Sequence, residues 1–370
     1  MCSKVCSTWS RTILDYAGVL MGEVLTHADT HLSVVSADCR IALVPSMGLG
    51  DGCVYLVLAA NLARAGYRVT VLSNHFGALN DWLPLFETRP LPLPADTFAV
   101  LDGFDLVISD MGSMLTRYAE AAEKLARRYV FVGTLKVDSR FVQDPAVDTL
   151  ARLPAEKARL LAPLAAAAGP LRCLPDDSVS MVEQAVAFCR MRLGLSDASS
   201  DIGLQTPPTL QHRRHARRVM FHPLSYNVKK NWPASKYLAL ARRLRAAGYQ
   251  PQFVLSPKER DDHVDVFAPE FEVPEFPDAR ALAAHLYESG YVIGNDSGVG
   301  HLASALGVPV LTLYRKRRDG FCWRPGWGTG QVVRPALSLS FMRDRWAMFM
   351  SVNRVARGFR VLSRKVGGDR

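Results

Sequence analysis

Short apolar runs alternate with stretches of helical period along most of this chain, and the alternation becomes regular from Cys39 onward. Residues 40–44 (RIALV) read as a buried strand, residues 54–65 as a helix that stops at Gly66, and residues 68–72 (RVTVL) as the next strand. Between the first strand and the helix lies a glycine-rich turn, Met47-Gly48-Leu49-Gly50-Asp51-Gly52. A strand, a helix and a strand within about 30 residues make the βαβ unit of a parallel sheet. The rhythm continues with strands over 106–109 and 129–132 and helices over 117–128 and 178–193. Residues 196–208 lose it and gather Ser, Asp, Gly and Pro, which predicts a linker. A second series follows, with strands over 219–222, 252–255, 291–293 and 310–314 and helices over 234–247, 280–289 and 301–306.

The pattern predicts an α/β protein of two tandem Rossmann-like, doubly wound domains facing a central cleft. We place the first domain at 38–205 and the second at 206–335, after an extension (1–37) whose pattern assigns it no place. The tail, 336–370, carries Phe349, Val352, Val355, Ala356, Phe359, Leu362 and Val366 on one helical face and Arg354, Arg357, Arg360 and Arg364 on the other. Its apolar face is expected to pack back on the N-terminal domain. Its basic face suits an anionic membrane surface.

Composition adds direction. The chain has 370 residues, 49% of them hydrophobic, enough to bury sizeable cores and too many for a disordered protein. Lys and Arg number 45 against 35 Asp and Glu, a formal +10 that points to an anionic partner. The basic run 211–218 (QHRRHARR) comes without a nucleic-acid recognition motif or an aromatic stacking platform, so nucleic acid is not expected as the partner. The seven cysteines are scattered, with no CxxC pair and no zinc spacing, which fits a reduced interior and no metal. No run of about 18 apolar residues offers a spanning helix and no signal-peptide core is present. The expected location is cytoplasmic, with peripheral contact to an inner membrane.

The chemistry concentrates at two strand-to-helix turns. The strand at 291–293 runs into Gly294-Asn295-Asp296-Ser297-Gly298, and a helix begins near His301. Small residues there let backbone N–H groups approach a ligand, and the helix end favours negative charge, so the turn suits phosphate. The plainer reading is a helix cap and a turn glycine. Asp51 follows the first strand at the carboxyl edge of its sheet, where a cleft is expected. It is either a general base or the cap of the helix that follows. His222 ends a strand and reads as a hydrogen-bonded histidine near the cleft, and Trp232 as a packing residue.

The segment from Asn295 to Val310 closely resembles the NDSGxxHLAxALGxPV signature of glycosyltransferase family 9, the heptosyltransferase family. Asn295, Asp296, Ser297, Gly298, His301, Leu302, Ala303, Ala305, Leu306, Gly307, Pro309 and Val310 match it in register. Residues 41–51 (IALVPSMGLGD), His222-Pro223 with Lys230-x-Trp232-Pro233, and Pro257-Lys258-Glu259 resemble further family segments in the same order. The resemblance covers roughly residues 40–333 and implies a GT-B fold and a metal-independent, inverting transfer. It implies Asp51 as the base, and Lys230, Asp296, Ser297, Gly298 and His301 around the donor diphosphate, with Glu259 on the donor ribose. The implied donor is a nucleotide-sugar, ADP-heptose, with no separate cofactor. The implied acceptor is a lipopolysaccharide core or another envelope glycan or glycolipid. A GT-B shell that only binds a nucleotide-sugar, or a transferase for a different nucleotide-sugar, stays open as an alternative. Two departures bear on sugar and acceptor. Leu224 replaces the family's glycine after His222-Pro223, and Arg315-Lys316-Arg317-Arg318 replaces a small-residue turn. That run can face donor phosphates, an acidic acceptor or a membrane, or be a solvated loop.

Overall fold

The computed structural model describes residues 38–117, 121–134, 136–317, 320–337 and 340–368. The extension 1–37 and Arg318 lie outside the described residues.

Two parallel sheets carry the molecule. The first comprises β1 (Arg40–Val44), β2 (Arg68–Leu72), β3 (Glu87–Arg89), β4 (Leu106–Asp110), β5 (Val130–Gly133) and β6 (Gly169–Pro170), in the order β3-β2-β1-β4-β5-β6. The second comprises β7 (His215–His222), β8 (Gln250–Phe253), β9 (Ser289–Asn295), β10 (Val310–Leu313) and β11 (Gly330–Val333), in the order β11-β10-β9-β7-β8. Central strands of a parallel sheet are covered on both faces, which is why Ile41–Val44 are uniformly apolar and buried. In each sheet the chain winds to one side and then returns to wind to the other. The reversal falls between β1 and β4 in the first sheet and between β7 and β9 in the second. Loops at the carboxyl ends of those four strands therefore splay apart and open a crevice.

Seven helices matter below: α1 (Leu49–Arg64), α2 (Met181–Met191), α3 (Ala234–Ala246), α4 (Pro257–Phe267), α5 (Ala279–Tyr287), α6 (Gly298–Ala305) and α7 (Val352–Gly368). Helix α1 begins more than a turn earlier than its apolar period predicts. Gly48 is its N-cap, and the Gly52 N–H already bonds the Gly48 carbonyl at 2.8 Å, so Asp51 sits inside the first helical turn. Glycine is a poor helix former and masks the start. Close packing demands it, because a Cβ on Gly52 would lie 2.8 Å from the Phe76 ring. The far end behaves as predicted, with Gly66 at φ +94°, a left-handed stop. The linker 196–208 is irregular but pinned to the first domain. Asn61 exchanges hydrogen bonds with the Ser199 backbone, and the Gln205 N–H bonds the Trp82 carbonyl at 2.8 Å.

The tail corrects an expectation. Helix α7 packs on the second sheet, not on the N-terminal domain. Val355, Ala356, Phe359, Leu362 and Val366 share one core with Val219, Tyr291, Leu311 and Val333. Phe359 meets Tyr249 and Tyr291 at ring distances of 5.0 Å. The reason is coverage: α3 and α4 shield β7 and β8 on that face, and without α7 the apolar residues of β10 and β11 would face water. The opposite face of the second sheet joins the first domain's core, through Val299, Leu302 and Ala303 of α6.

Candidate active site

The four strands beside the two reversals deliver the side chains. Strand β1 leads through Ser46 to Asp51, and its neighbour β4, with Ser109 opposite Val44, ends on Asp110. Asp110 is buried and accepts hydrogen bonds from the Tyr55 hydroxyl and the Gly112 N–H, both at 2.5 Å. Across the crevice β7 ends on His222, and β9 runs through Asn295 and Asp296 into α6.

The two domains touch through glycine. A Cβ on Gly50 would lie 2.9 Å from the His301 ring and 3.3 Å from the Gly298 Cα, and one on Gly298 would lie 2.8 Å from the Leu49 Cβ. No larger residue fits there unless its neighbours shift. Helices α1 and α6 thus meet end to end, and their N-termini turn partial positive charge toward the same space.

Lys230 reaches this space from the loop after β7, its Nζ 2.7 Å from Asp296 Oδ2. Asn295 fixes the loop. Its amide donates to the Pro223 carbonyl at 2.6 Å, and its side-chain oxygen accepts from the Trp232 N–H and the Tyr237 hydroxyl. Trp232 is buried and donates to the Met350 carbonyl, so it packs, as predicted. His301 is buried beside Gly50, and its Nδ1 has no hydrogen-bond partner among the described residues. Burial lowers its pKa, against the opposing pull of Asp296, so the ring is neutral. Ser297 stands at the N-cap of α6 and hydrogen-bonds His222 Nδ1 at 2.8 Å. Glu259 caps its own helix, α4, through Ser256 and lies 3.5 Å from His222 Nε2.

Burial raises the pKa of Asp51 to about 6. The charges of Asp110 and Asp296 add to that rise, while Lys230 and a hydrogen bond from Ser46 oppose it. A carboxylate so placed is still ionised at neutral pH and is a stronger base than an exposed one. The structure therefore brings Asp51, Lys230, Asp296, Ser297, Gly298 and His301 to one crevice, with Glu259 at its edge behind His222. Sequence reasoning missed Asp110 and Tyr55. The signal was available, since a carboxylate ending the strand next to β1 lies beside the same reversal. A cavity of about 810 Å³ opens elsewhere, beside Arg40 and Arg68 at the amino end of the first sheet.

Residues 170–333 match the profile of glycosyltransferase family 9 (heptosyltransferase). This stretch of the chain is similar to the glycosyltransferase family 9 (heptosyltransferase) proteins. Lipopolysaccharide heptosyltransferase 3 of Escherichia coli is similar to it, 29% identical over 150 residues, which are 36% of this chain and 42% of that protein. The match thus spans about two fifths of that relative's length. Among solved structures, the glycosyl transferase family 9 protein of Veillonella parvula aligns with a TM-score of 0.59 and 16% identity, over 88% of this chain and 97% of its own. The E. coli ADP-heptose lps heptosyltransferase II gives 0.59 and 16%, over 89% and 99%. An E. coli heptosyltransferase with ADP-2-deoxy-2-fluoro heptose gives 0.54 and 17%, over 86% and 98%. These likenesses show the GT-B fold, as predicted. Profile and crevice coincide for Lys230, Glu259, Asp296, Ser297, Gly298 and His301. Asp51 and Asp110 lie upstream of the matched residues.

Proposed function

We propose that the protein is a metal-independent, inverting glycosyltransferase that moves heptose from ADP-heptose to a lipopolysaccharide core or a related envelope glycan. The observation that carries the reading is Asp51, a buried-side carboxylate of raised basicity facing Lys230 and the N-terminus of α6 across a crevice between two domains. Asp51 takes the proton of the acceptor hydroxyl as its oxygen attacks the anomeric carbon. The bond from that carbon to the diphosphate breaks, and the diphosphate leaves with the electron pair. Lys230 and the helix end offset the charge that develops on it. The lipopolysaccharide role of the E. coli relative, and the ADP-sugar bound by a structure of the same fold, support the choice of donor and acceptor.

The test is transfer from ADP-heptose to an isolated core acceptor by wild-type protein and by Asp51→Asn, with and without a chelator. The expected result is transfer that survives chelation and falls about a thousandfold in the variant, the scale of losing a general base with its charge. Nucleotide-sugar binding with no transfer in either protein would leave only a non-catalytic binding shell.

We also propose a cytoplasmic protein in peripheral contact with the inner membrane. No helix among the described residues is long and apolar enough to cross a membrane. The reading is supported by α7, whose Arg354, Arg357, Arg360 and Arg364 are exposed while its apolar face is buried. Exchanging these four for Gln is expected to abolish sedimentation with anionic vesicles and leave solution transfer intact. Equal sedimentation of both proteins counts against the contact.

A further inference from the structure

We infer that His222 is a positioning residue: it holds the Ser297 hydroxyl away from the N-terminus of α6, so that the helix end is kept for the donor's phosphates. The inference rests on the donor site proposed above.

The molecule contains its own comparison. Ser180, Ser256 and Asp278 stand at the N-caps of α2, α4 and α5, and each accepts the expected hydrogen bond from the backbone N–H three residues on. Ser297 stands at the N-cap of α6 with φ −148° and ψ 161°, a backbone close to that of Asp278 at φ −156° and ψ 178°, and makes no such bond. Its hydroxyl is 2.8 Å from His222 Nδ1 instead. A serine has one hydroxyl, and here it is turned toward the neighbouring strand of its own sheet.

His222 is in turn held from behind. It is buried at the end of β7, and its Nε2 lies 3.5 Å from Glu259 Oε2. Glu259 is anchored by the Ser256 N–H at 2.7 Å. Burial raises the pKa of this carboxylate, but hydrogen bonds from His222 and from Ser256 outweigh it and bring it down to about 2, so it is anionic. An anion beside Nε2 favours the tautomer with its proton there, which leaves Nδ1 to accept from the Ser297 O–H. The three residues come from the carboxyl ends of β8, β7 and β9, adjacent strands of one sheet. A rigid row of this kind sets one rotamer of Ser297 before any ligand arrives. It also gives Glu259 a duty besides the ribose contact that family resemblance implies.

The experiment measures ADP affinity calorimetrically for wild type, Ser297→Ala, and His222 changed to Ala, Asn or Gln. The Asn side chain reaches the position of Nδ1 and can hold Ser297. The Gln side chain reaches that of Nε2 and can hold only Glu259. The expected result is a loss of about tenfold in H222A and H222Q, the size of one hydrogen bond to a charged group, with affinity largely restored in H222N. In the Ser297→Ala background the loss caused by H222A should shrink, since the two residues act as one. A packing role predicts the reverse order, because Gln is nearer to His in volume than Asn. Better binding by H222Q than by H222N, or additive losses, overturns the inference and leaves the donor site standing. Wild-type protein that binds no ADP overturns both.

Discussion

At the scale of single residues the site is a problem in charge. The charges of Asp110 and Asp296 bear on Asp51, and Lys230, the cation that opposes them there, already pairs with Asp296 at 2.7 Å. The raised pKa of Asp51 is also a stability statement. Holding the carboxylate ionised in the fold costs about 3 kcal/mol above pH 6, and the cost vanishes below the ordinary carboxylate value of about 4. Asp51→Asn is therefore expected to raise the melting temperature at pH 8, with the gain lost as the pH falls toward 4. Scans at several pH values check this, and a gain that persists at pH 4 would point to a cause other than charge. The same value places the acid limb of the transfer rate near pH 6. Lys230→Ala removes the opposing charge and is expected to move that limb upward while slowing transfer roughly a hundredfold. A limb that stays put would separate Lys230 from Asp51.

At the scale of elements the close contact of α1 and α6 decides what the sequence can and cannot reveal. Regular strands such as β1 and β2 were legible to the residue, because full burial writes an unbroken apolar run. The start of α1 was not. Gly48, Gly50 and Gly52 look like a loop in sequence, and only the approach of His301, Gly298 and Phe76 explains them as a helix end. The site divided in the same way. The 294–298 turn and that of Asp51 stood out as strand-to-helix turns, and resemblance to a family pattern added Lys230 and Glu259. The Asp110–Tyr55 bond and the His222 row depend on strand order, which no single motif contains. Gly298→Ala tests the contact, since its Cβ would meet Leu49 at 2.8 Å and the Gly50 nitrogen at 3.0 Å. Overpacking of this kind is expected to cost about 1–3 kcal/mol and to weaken nucleotide binding, measured by denaturant unfolding and titration. A variant with wild-type stability and affinity would show that the contact yields.

At the scale of the whole molecule the tail is structural first. Because α7 completes the face over β10 and β11, Phe359→Ala is expected to destabilise the protein by about 3–5 kcal/mol, although it lies far from the crevice. Truncation before Val352 should give aggregated protein, not a merely detached enzyme; soluble, active truncated protein would refute this. The expectation that the tail would cross to the first domain failed because its apolar face fits either partner. Amphipathic period reports that a face will be covered, and not by what. The domains are joined elsewhere along the cleft too, by Arg280 with Asp81 and by the Trp327 ring N–H with the Ser200 carbonyl at 2.8 Å.

The glycine contact between Gly50 and Gly298 has a mechanical meaning. Two backbones packed this closely cannot slide past one another without a clash, so the contact fixes the distance between the turn that carries Asp51 and the turn that carries Ser297. Other contacts brace it: the Met181 N–H bonds the Cys322 carbonyl at 2.7 Å, and Arg280 pairs with Asp81. Asp51 and the N-terminus of α6 are thereby held in register from several sides.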